Sequence, residues 1–435
     1  MRSSKLNLLG TLLLGTLGGV LAGCQTYDFE PVDPLAISQT TETRVLEARE
    51  AKPNMMLLVD TSGSMTDPTN PELTDASGTK VCKRSGTNCG PPSIPCDTRL
   101  CPTRWTELQG AMNDFLKDSA TIARIGLSTY PDLGSDKKAT CGATTGISVP
   151  LPPEDMDDAT TLAANAEQVK TRILAIKNSS SVATDQVPLG GTPTSQSLQY
   201  LGTLPELQTA NRSDFVLLLT DGLPNCNTAF ADPYPSANCY CTLGTGGGDC
   251  STAKQIGCLD TNASVAAVTA LQAKGIKTIV IGFGTDFTSG SESGKRGTAT
   301  LNGMAEAGGF ARKCASNAEC GTGDTCELAK GLCTRRFYQA GNKTELLTAL
   351  RQISEIVKVD EPCLLSFDES QRPSSQELVV VSINDERLSP GDDTWKLEEK
   401  EGTSGIRFLG STCERLTNSS SSSKAKIVVR AVRTP

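Results

Sequence analysis

Met55-Met56-Leu57-Leu58-Val59-Asp60-Thr61-Ser62-Gly63-Ser64-Met65 decides the fold of this chain. The apolar run Met55 to Val59 is continuous and bounded by turn residues, the pattern of a parallel strand buried on both faces. The D-x-S-x-S segment that follows lies at the carboxyl end of that strand, where open α/β sheets bind their ligands. Asp60, Ser62 and Ser64 alternate, and Gly63 permits a tight turn, so one carboxylate and two hydroxyls can converge. Hard oxygens suit Mg²⁺, with waters completing the shell. A solvated turn is the plainer reading of the segment taken alone.

Two further segments support the metal reading. Val187-Pro188-Leu189-Gly190-Gly191-Thr192-Pro193-Thr194 reads as a glycine-rich loop opening a helix, with Thr192 offering a hydroxyl. Phe215-Val216-Leu217-Leu218-Leu219-Thr220-Asp221-Gly222 reads as a second buried strand ending in a carboxylate. In this order, D-x-S-x-S, G-G-T and T-D-G resemble the von Willebrand factor A (VWA) family. The resemblance implies an integrin I-like, doubly wound α/β sheet with one antiparallel edge strand. It also implies a metal-ion-dependent adhesion site whose ligands are Asp60, Ser62, Ser64, Thr192 and Asp221, holding Mg²⁺ (or Mn²⁺ or Ca²⁺).

The N-terminus reads as an export signal. Arg2 and Lys5 form a positive n-region, and Leu8 to Leu21 is an uncharged apolar stretch too short for a comfortable membrane span. It ends Leu21-Ala22-Gly23-Cys24, which resembles the bacterial lipobox. Residues 1–23 are then a signal peptide, and Cys24 is the lipidated first residue of the mature protein. Several acyl chains on one residue give stable anchoring. Gln25 in place of Asp leans towards the outer membrane.

The chain has 17 cysteines and no histidine. Setting Cys24 aside leaves sixteen, an even number, and an exported chain rich in cysteine reads as a disulfide framework. The alternative is zinc, suggested by spacings such as Cys239-Tyr240-Cys241. Without histidine, Ser-His-Asp and Cys-His catalysis and His-ligated metals are excluded. A formal net charge of -8 argues against nucleic acid as a partner.

Residues 24–51 read as a lipidated tether, with a short helix expected over 41–51. Residues 52–358 alternate strands and helices, hence an α/β domain. Strands are expected at 55–59, 123–130, 147–151 (the antiparallel edge that the VWA resemblance implies), 215–219, 277–282 and 337–339. Helices are expected at 103–117, 158–177, 194–204, 265–274, 301–307 and 344–357. Residues 359–435 read as a small C-terminal β module with strands at 379–384, 405–409 and 426–432, and with the serine run 418–423 as a hairpin loop. Cys363 and Cys413 are the only cysteines there, so a bond between them is the simplest expectation.

The long insertions fall where specificity is set. Residues 66–102 hold Cys82, Cys89, Cys96 and Cys101; residues 223–260 hold Cys226, Cys239, Cys241, Cys250 and Cys258; Cys141 follows the second strand. All three leave the carboxyl ends of strands and gather on the metal face. Their ten cysteines are expected to staple a wall around it, although disulfides that simply restrain long loops would look the same. Cys314, Cys320, Cys326 and Cys333, in 311–336, precede a strand and so fall on the opposite face, as a two-disulfide knot. The knot reads equally as a second contact surface or a decorated loop.

The resemblance implies an open coordination position filled by a partner's acidic side chain. No segment supplies an evident base to polarise water, so a binding protein is expected and not an enzyme. Lipobox, VWA domain, cysteine-rich insertions and C-terminal β module together resemble the VWA lipoproteins of myxobacteria. Within that group they resemble the adventurous-gliding adhesins, also through Cys24-Gln25-Thr26-Tyr27-Asp28-Phe29-Glu30-Pro31. The expectation is a lipid-anchored outer-membrane adhesin, exposed at the cell surface, that binds substratum or an acidic ligand and couples gliding-machinery envelope proteins to the surface. The alternative is a structural or assembly lipoprotein whose VWA domain docks a periplasmic or envelope partner.

Overall fold

A computed structural model of the chain describes residues 44–47, 52–132, 141–153, 156–208, 212–226, 239–242, 250, 257–284, 287, 290–321, 323–357, 363–367, 373, 375–400, 403–417 and 426–431. The expected signal peptide, Cys24 and the serine run 418–423 lie outside them.

The expected buried strand forms as β2 (Asn54–Asp60), every residue of it buried. It lies between β3 (Arg124–Tyr130) and β4 (Asp214–Thr220), with β5 (Ile276–Phe283) and β6 (Tyr338–Ala340) beyond β4. All four pairings are parallel. Alternation along β2 divides the core in two. Met55, Leu57 and Val59 face one layer of helices: α1 (Arg104–Asp118), α2 (Ala159–Ala175) and a helix over Lys343–Val357. Met56 and Leu58 face the other: α3 (Thr194–Leu201), α4 (Thr261–Ala273) and α5 (Glu292–Ala307). The helix over Lys343–Val357 is α6. With both faces covered, the strands read as unbroken apolar runs. The architecture is the doubly wound α/β fold expected from the sequence.

Three expectations need correction. The antiparallel edge strand at 147–151 is reduced to one bridge, Leu127 to Val149. Pro150, Pro152 and Pro153 carry no N–H, so the ladder cannot continue. Helix α5 begins nine residues before Leu301, its Ser291 hydroxyl accepting from the Gly294 N–H. Glycines at 294 and 297 disguise it. A Cβ at Gly297 would lie 2.9 Å from Leu223 Cδ2 and 3.0 Å from Phe287, so glycine lets this helix approach closely. Finally, the described residues of 41–51 form a strand, β1 (Arg44–Glu47), in place of the expected helix.

Strand β1 belongs to the C-terminal module. There β7 (Leu364–Phe367), β8 (Val379–Ile383), β9 (Glu386–Leu388), β10 (Trp395–Lys400), β11 (Thr403–Phe408) and β12 (Lys426–Ala431) form two antiparallel sheets. One runs β1-β12-β8-β9 and the other β7-β11-β10. They enclose Val381, Ile383, Trp395, Ile406 and Ile427, and a helix α7 (Gly410–Thr417) carries Cys413 to Cys363.

All sixteen cysteines after Cys24 are paired. The bonds are Cys82–Cys101, Cys89–Cys96, Cys141–Cys226, Cys239–Cys258, Cys241–Cys250, Cys314–Cys326, Cys320–Cys333 and Cys363–Cys413. The ten cysteines of the three insertions therefore close among themselves, and the knot closes within 311–336. The pairing supports disulfides over zinc, because it leaves no thiolate among these sixteen to ligate a metal.

Candidate metal centre

The end of β2 turns sharply into a 3-10 helix over Gly63–Thr66. Asp60, the last residue of β2, is completely enclosed. One carboxylate oxygen accepts the Ser62 N–H at 2.8 Å, and the other accepts the Thr220 hydroxyl at 2.7 Å. The turn is pinned from both sides: the Thr61 N–H donates to the Tyr130 carbonyl, and the Gly63 N–H to the Gly190 carbonyl. These contacts bring the D-x-S-x-S turn onto the glycine-rich loop.

Across the gap, Asp221 stands one residue past β4. Ser64 Oγ donates to Asp221 Oδ1 at 3.0 Å and lies 3.2 Å from Ser62 Oγ. Thr192 reaches the same place from the loop before α3. A Cβ built on Gly222 would sit 3.6 Å from Ser64 Oγ and 3.7 Å from Thr192 Oγ1, so the missing side chain keeps this space open. Ser64, Thr192 and Asp221 line a cleft of about 260 Å³. Asp60 and Ser62 are buried residues linked to them by this hydrogen-bond chain. The five residues named from the sequence thus form one cluster at the carboxyl edge, where β2 and β4 diverge to opposite sides of the strand order.

The donor set is entirely hard oxygen: two carboxylates and three hydroxyls. Burial, and after it the charge of Asp221, pushes Asp60 up to about 7. A carboxylate held so far from its ordinary range is relieved by a cation. The residues therefore fit a hard divalent ion such as Mg²⁺ or Mn²⁺.

Three residues of this site have no sequence signature. Arg104, the first residue of α1, places Nη1 2.8 Å from Asp221 Oδ2, with both side chains almost wholly buried. Asn225 locks the glycine-rich loop to the loop after β4. Its Oδ1 accepts the Thr192 N–H at 2.7 Å, and its own N–H donates to the Thr192 carbonyl at 3.0 Å. Its Nδ2 reaches the Thr242 hydroxyl at 2.9 Å, in the cysteine-rich insertion. Asp67 also lines the cleft, its carboxylate against Gly90. Leu223 and Phe287 add apolar surface to the lining.

No family model matches the chain, and no curated protein matches it. Among solved structures, the open conformation of the pilus adhesin SpaC from Lactobacillus rhamnosus GG aligns at a TM-score of 0.40 and 11% identity, over 88% of this chain and 39% of that one. The manganese-loaded TRAP protein of Plasmodium vivax aligns at 0.27 and 13%, over 56% and 61%. The VWA domain of SpRpn10 aligns at 0.25 and 9%, over 58% and 82%. The chain spans about 40% of the pilus adhesin's length. Likenesses this distant add nothing to the strand order and the site geometry.

Proposed function

We propose that this chain is a lipid-anchored outer-membrane adhesin that binds an acidic group, on the substratum or on a protein partner, through a divalent cation. Coupling of that contact to a gliding machinery in the envelope belongs to the same proposal. One observation carries the reading: Asp60, Ser62, Ser64, Thr192 and Asp221 converge at a cleft among disulfide-stapled loops. A cation bound there would supply a coordination position for a carboxylate. Asp60 and Asp221 provide charge, the three hydroxyls provide geometry, and Gly222 leaves room for the incoming group. Binding suits the site better than hydrolysis. Asp60 is enclosed, and both its oxygens already accept hydrogen bonds, so it is not aimed at water in the cleft.

The test is adhesion of cells carrying Asp60→Asn, with surface levels of the protein measured in parallel. The variant should be exported normally, and the cells should lose attachment and gliding. Chelation should reproduce this in the wild type and add nothing in the variant. Normal attachment with normal surface levels would remove the adhesin reading in favour of docking to an envelope partner.

A further inference from the structure

We propose that Arg104 holds the metal affinity of this site low and ties metal occupancy to the acidic ligand, so that cation and carboxylate bind cooperatively. The inference rests on the metal-dependent reading above. Its starting point is the salt bridge from Arg104 Nη1 to Asp221 Oδ2, 2.8 Å long, with 10% of the arginine side chain and none of the aspartate exposed. This arginine is seated by design of the fold. Its backbone N–H donates to the Asp67 carbonyl, and the next residue, Trp105, is completely buried in the core. Gly284, just past β5 with φ +132°, lies alongside: a Cβ there would meet Arg104 Nε at 3.3 Å. The guanidinium is thus held over Asp221 by helix, core and a glycine slot.

Two consequences follow from charge alone. Asp221 Oδ2 already serves a cation, and Oδ1 already accepts the Ser64 hydroxyl. A dication entering the cluster must share Asp221 with a positive charge that cannot be shed, since a guanidinium stays protonated. Like charges in a buried site repel more strongly than in water. Arg104 therefore weakens metal binding when metal comes alone. The partner's carboxylate brings the opposite charge to the same cleft, which Arg104 itself lines. It offsets the repulsion between guanidinium and metal, and by linkage each of the two ligands then tightens the other by the same factor. Arg104 would make the site respond to metal and acidic ligand together, and hold little of either alone.

The experiment titrates Mn²⁺ into the purified full chain by calorimetry at constant ionic strength, with and without acetate as the smallest carboxylate probe. Wild type, Arg104→Gln and Arg104→Lys are compared, each checked by thermal melting. Arg104→Gln should bind Mn²⁺ about tenfold more tightly than wild type. Acetate should tighten Mn²⁺ binding in all three proteins, and by several-fold more in the wild type and in Arg104→Lys than in Arg104→Gln, where only direct coordination couples the two ligands. Equal or weaker Mn²⁺ binding by a folded Arg104→Gln, beside a wild type that does bind, overturns this inference and leaves the metal-dependent reading intact. Absence of Mn²⁺ binding in wild type and Arg104→Gln alike overturns both. Should Arg104→Gln fail to fold, the wild type decides: a Mn²⁺ affinity indifferent to acetate refutes the coupling.

Discussion

The two edges of the central sheet both bury charge, and they do so in opposite ways. At the amino edge, the first residues of β2, β3 and β4 stand side by side as Asn54, Arg124 and Asp214. Asn54 Nδ2 donates to Asp214 Oδ1 at 2.7 Å, and Arg124 Nε donates to Asn54 Oδ1 at 2.8 Å. Asp157 then joins Arg124 to Arg212. Among the described residues, two guanidiniums there meet two carboxylates. At the carboxyl edge, Arg104 pairs with Asp221 beside an open cleft, while the buried Asp60 accepts only from Ser62 and Thr220 among the described residues. A balanced, enclosed network is a structural device. The carboxyl-edge cluster instead lines an open cleft, the place where the proposed ligand would enter. On the proposed function, the same sheet assigns stability to one edge and binding to the other.

The sharpest way to break that contrast is to remove one carboxylate from each edge. Asp157→Ala leaves two buried guanidiniums without their shared partner and should cost about 3–5 kcal/mol, seen as a lower melting temperature with and without metal. Asp60→Asn should cost the metal-free protein little. Burial and Asp221 already disfavour its charge, and an amide can still accept the Ser62 N–H. An alanine there would instead orphan the Ser62 N–H and the Thr220 hydroxyl. What Asp60→Asn should lose is the rise in melting temperature on adding Mn²⁺. If both variants lower the metal-free melting temperature equally, the division between the edges is wrong.

A smaller effect separates how the edges are held. The amino edge is fixed from within by ion pairs, whereas the carboxyl edge is braced from outside by the Cys141–Cys226 bond. Replacing both cysteines by serine should cost about 2–4 kcal/mol. Hydrogen exchange should then quicken first in 222–226 and 190–194, with the strand amides last. Uniform loss of protection would mean that the bond serves the whole fold and not this edge.

Much of this division was readable in the sequence, and the exceptions have physical causes. The strands of the central sheet are continuous apolar runs, because both faces are covered, and all five metal-ligand candidates follow strands or open a helix. Cysteine parity anticipated that the insertions close among themselves. What escaped was long-range or locally ambiguous. Arg104 reads as an ordinary first-turn residue, because Asp221, the group that gives it meaning, is 117 residues away. Strand β1 is four residues long and owes its conformation to β12, near the other end of the chain. The glycines of α5 mimic a loop, since helix propensity cannot register that close packing requires them. The prolines after Val149 forbid a longer ladder at the edge, a local effect that the family pattern does not register.

Asn225 yields the finest distinction, between a loop that is merely present at the carboxyl edge and one that is held in place for a ligand. Asn225 and Thr192 are both nearly inaccessible, so the Thr192 N–H has no water to replace the Asn225 carboxamide. Asn225→Ala should cost about 1–2 kcal/mol, the penalty of one buried donor left unsatisfied. It also cuts the link from this loop to Thr242 in the stapled insertion. The amino edge lies at the other end of the strands, so its amides should keep full protection while those of 190–194 exchange faster. If Thr192 is a ligand, Mn²⁺ affinity should fall several-fold, because its hydroxyl is then positioned by a loosened backbone. If Mn²⁺ affinity is unchanged while exchange at 190–194 rises, Thr192 is not a ligand and the site has four protein oxygen donors instead of five. Asn225→Asp provides the control: it keeps the acceptor for the Thr192 N–H, so it should restore loop protection even though the donor to Thr242 is lost.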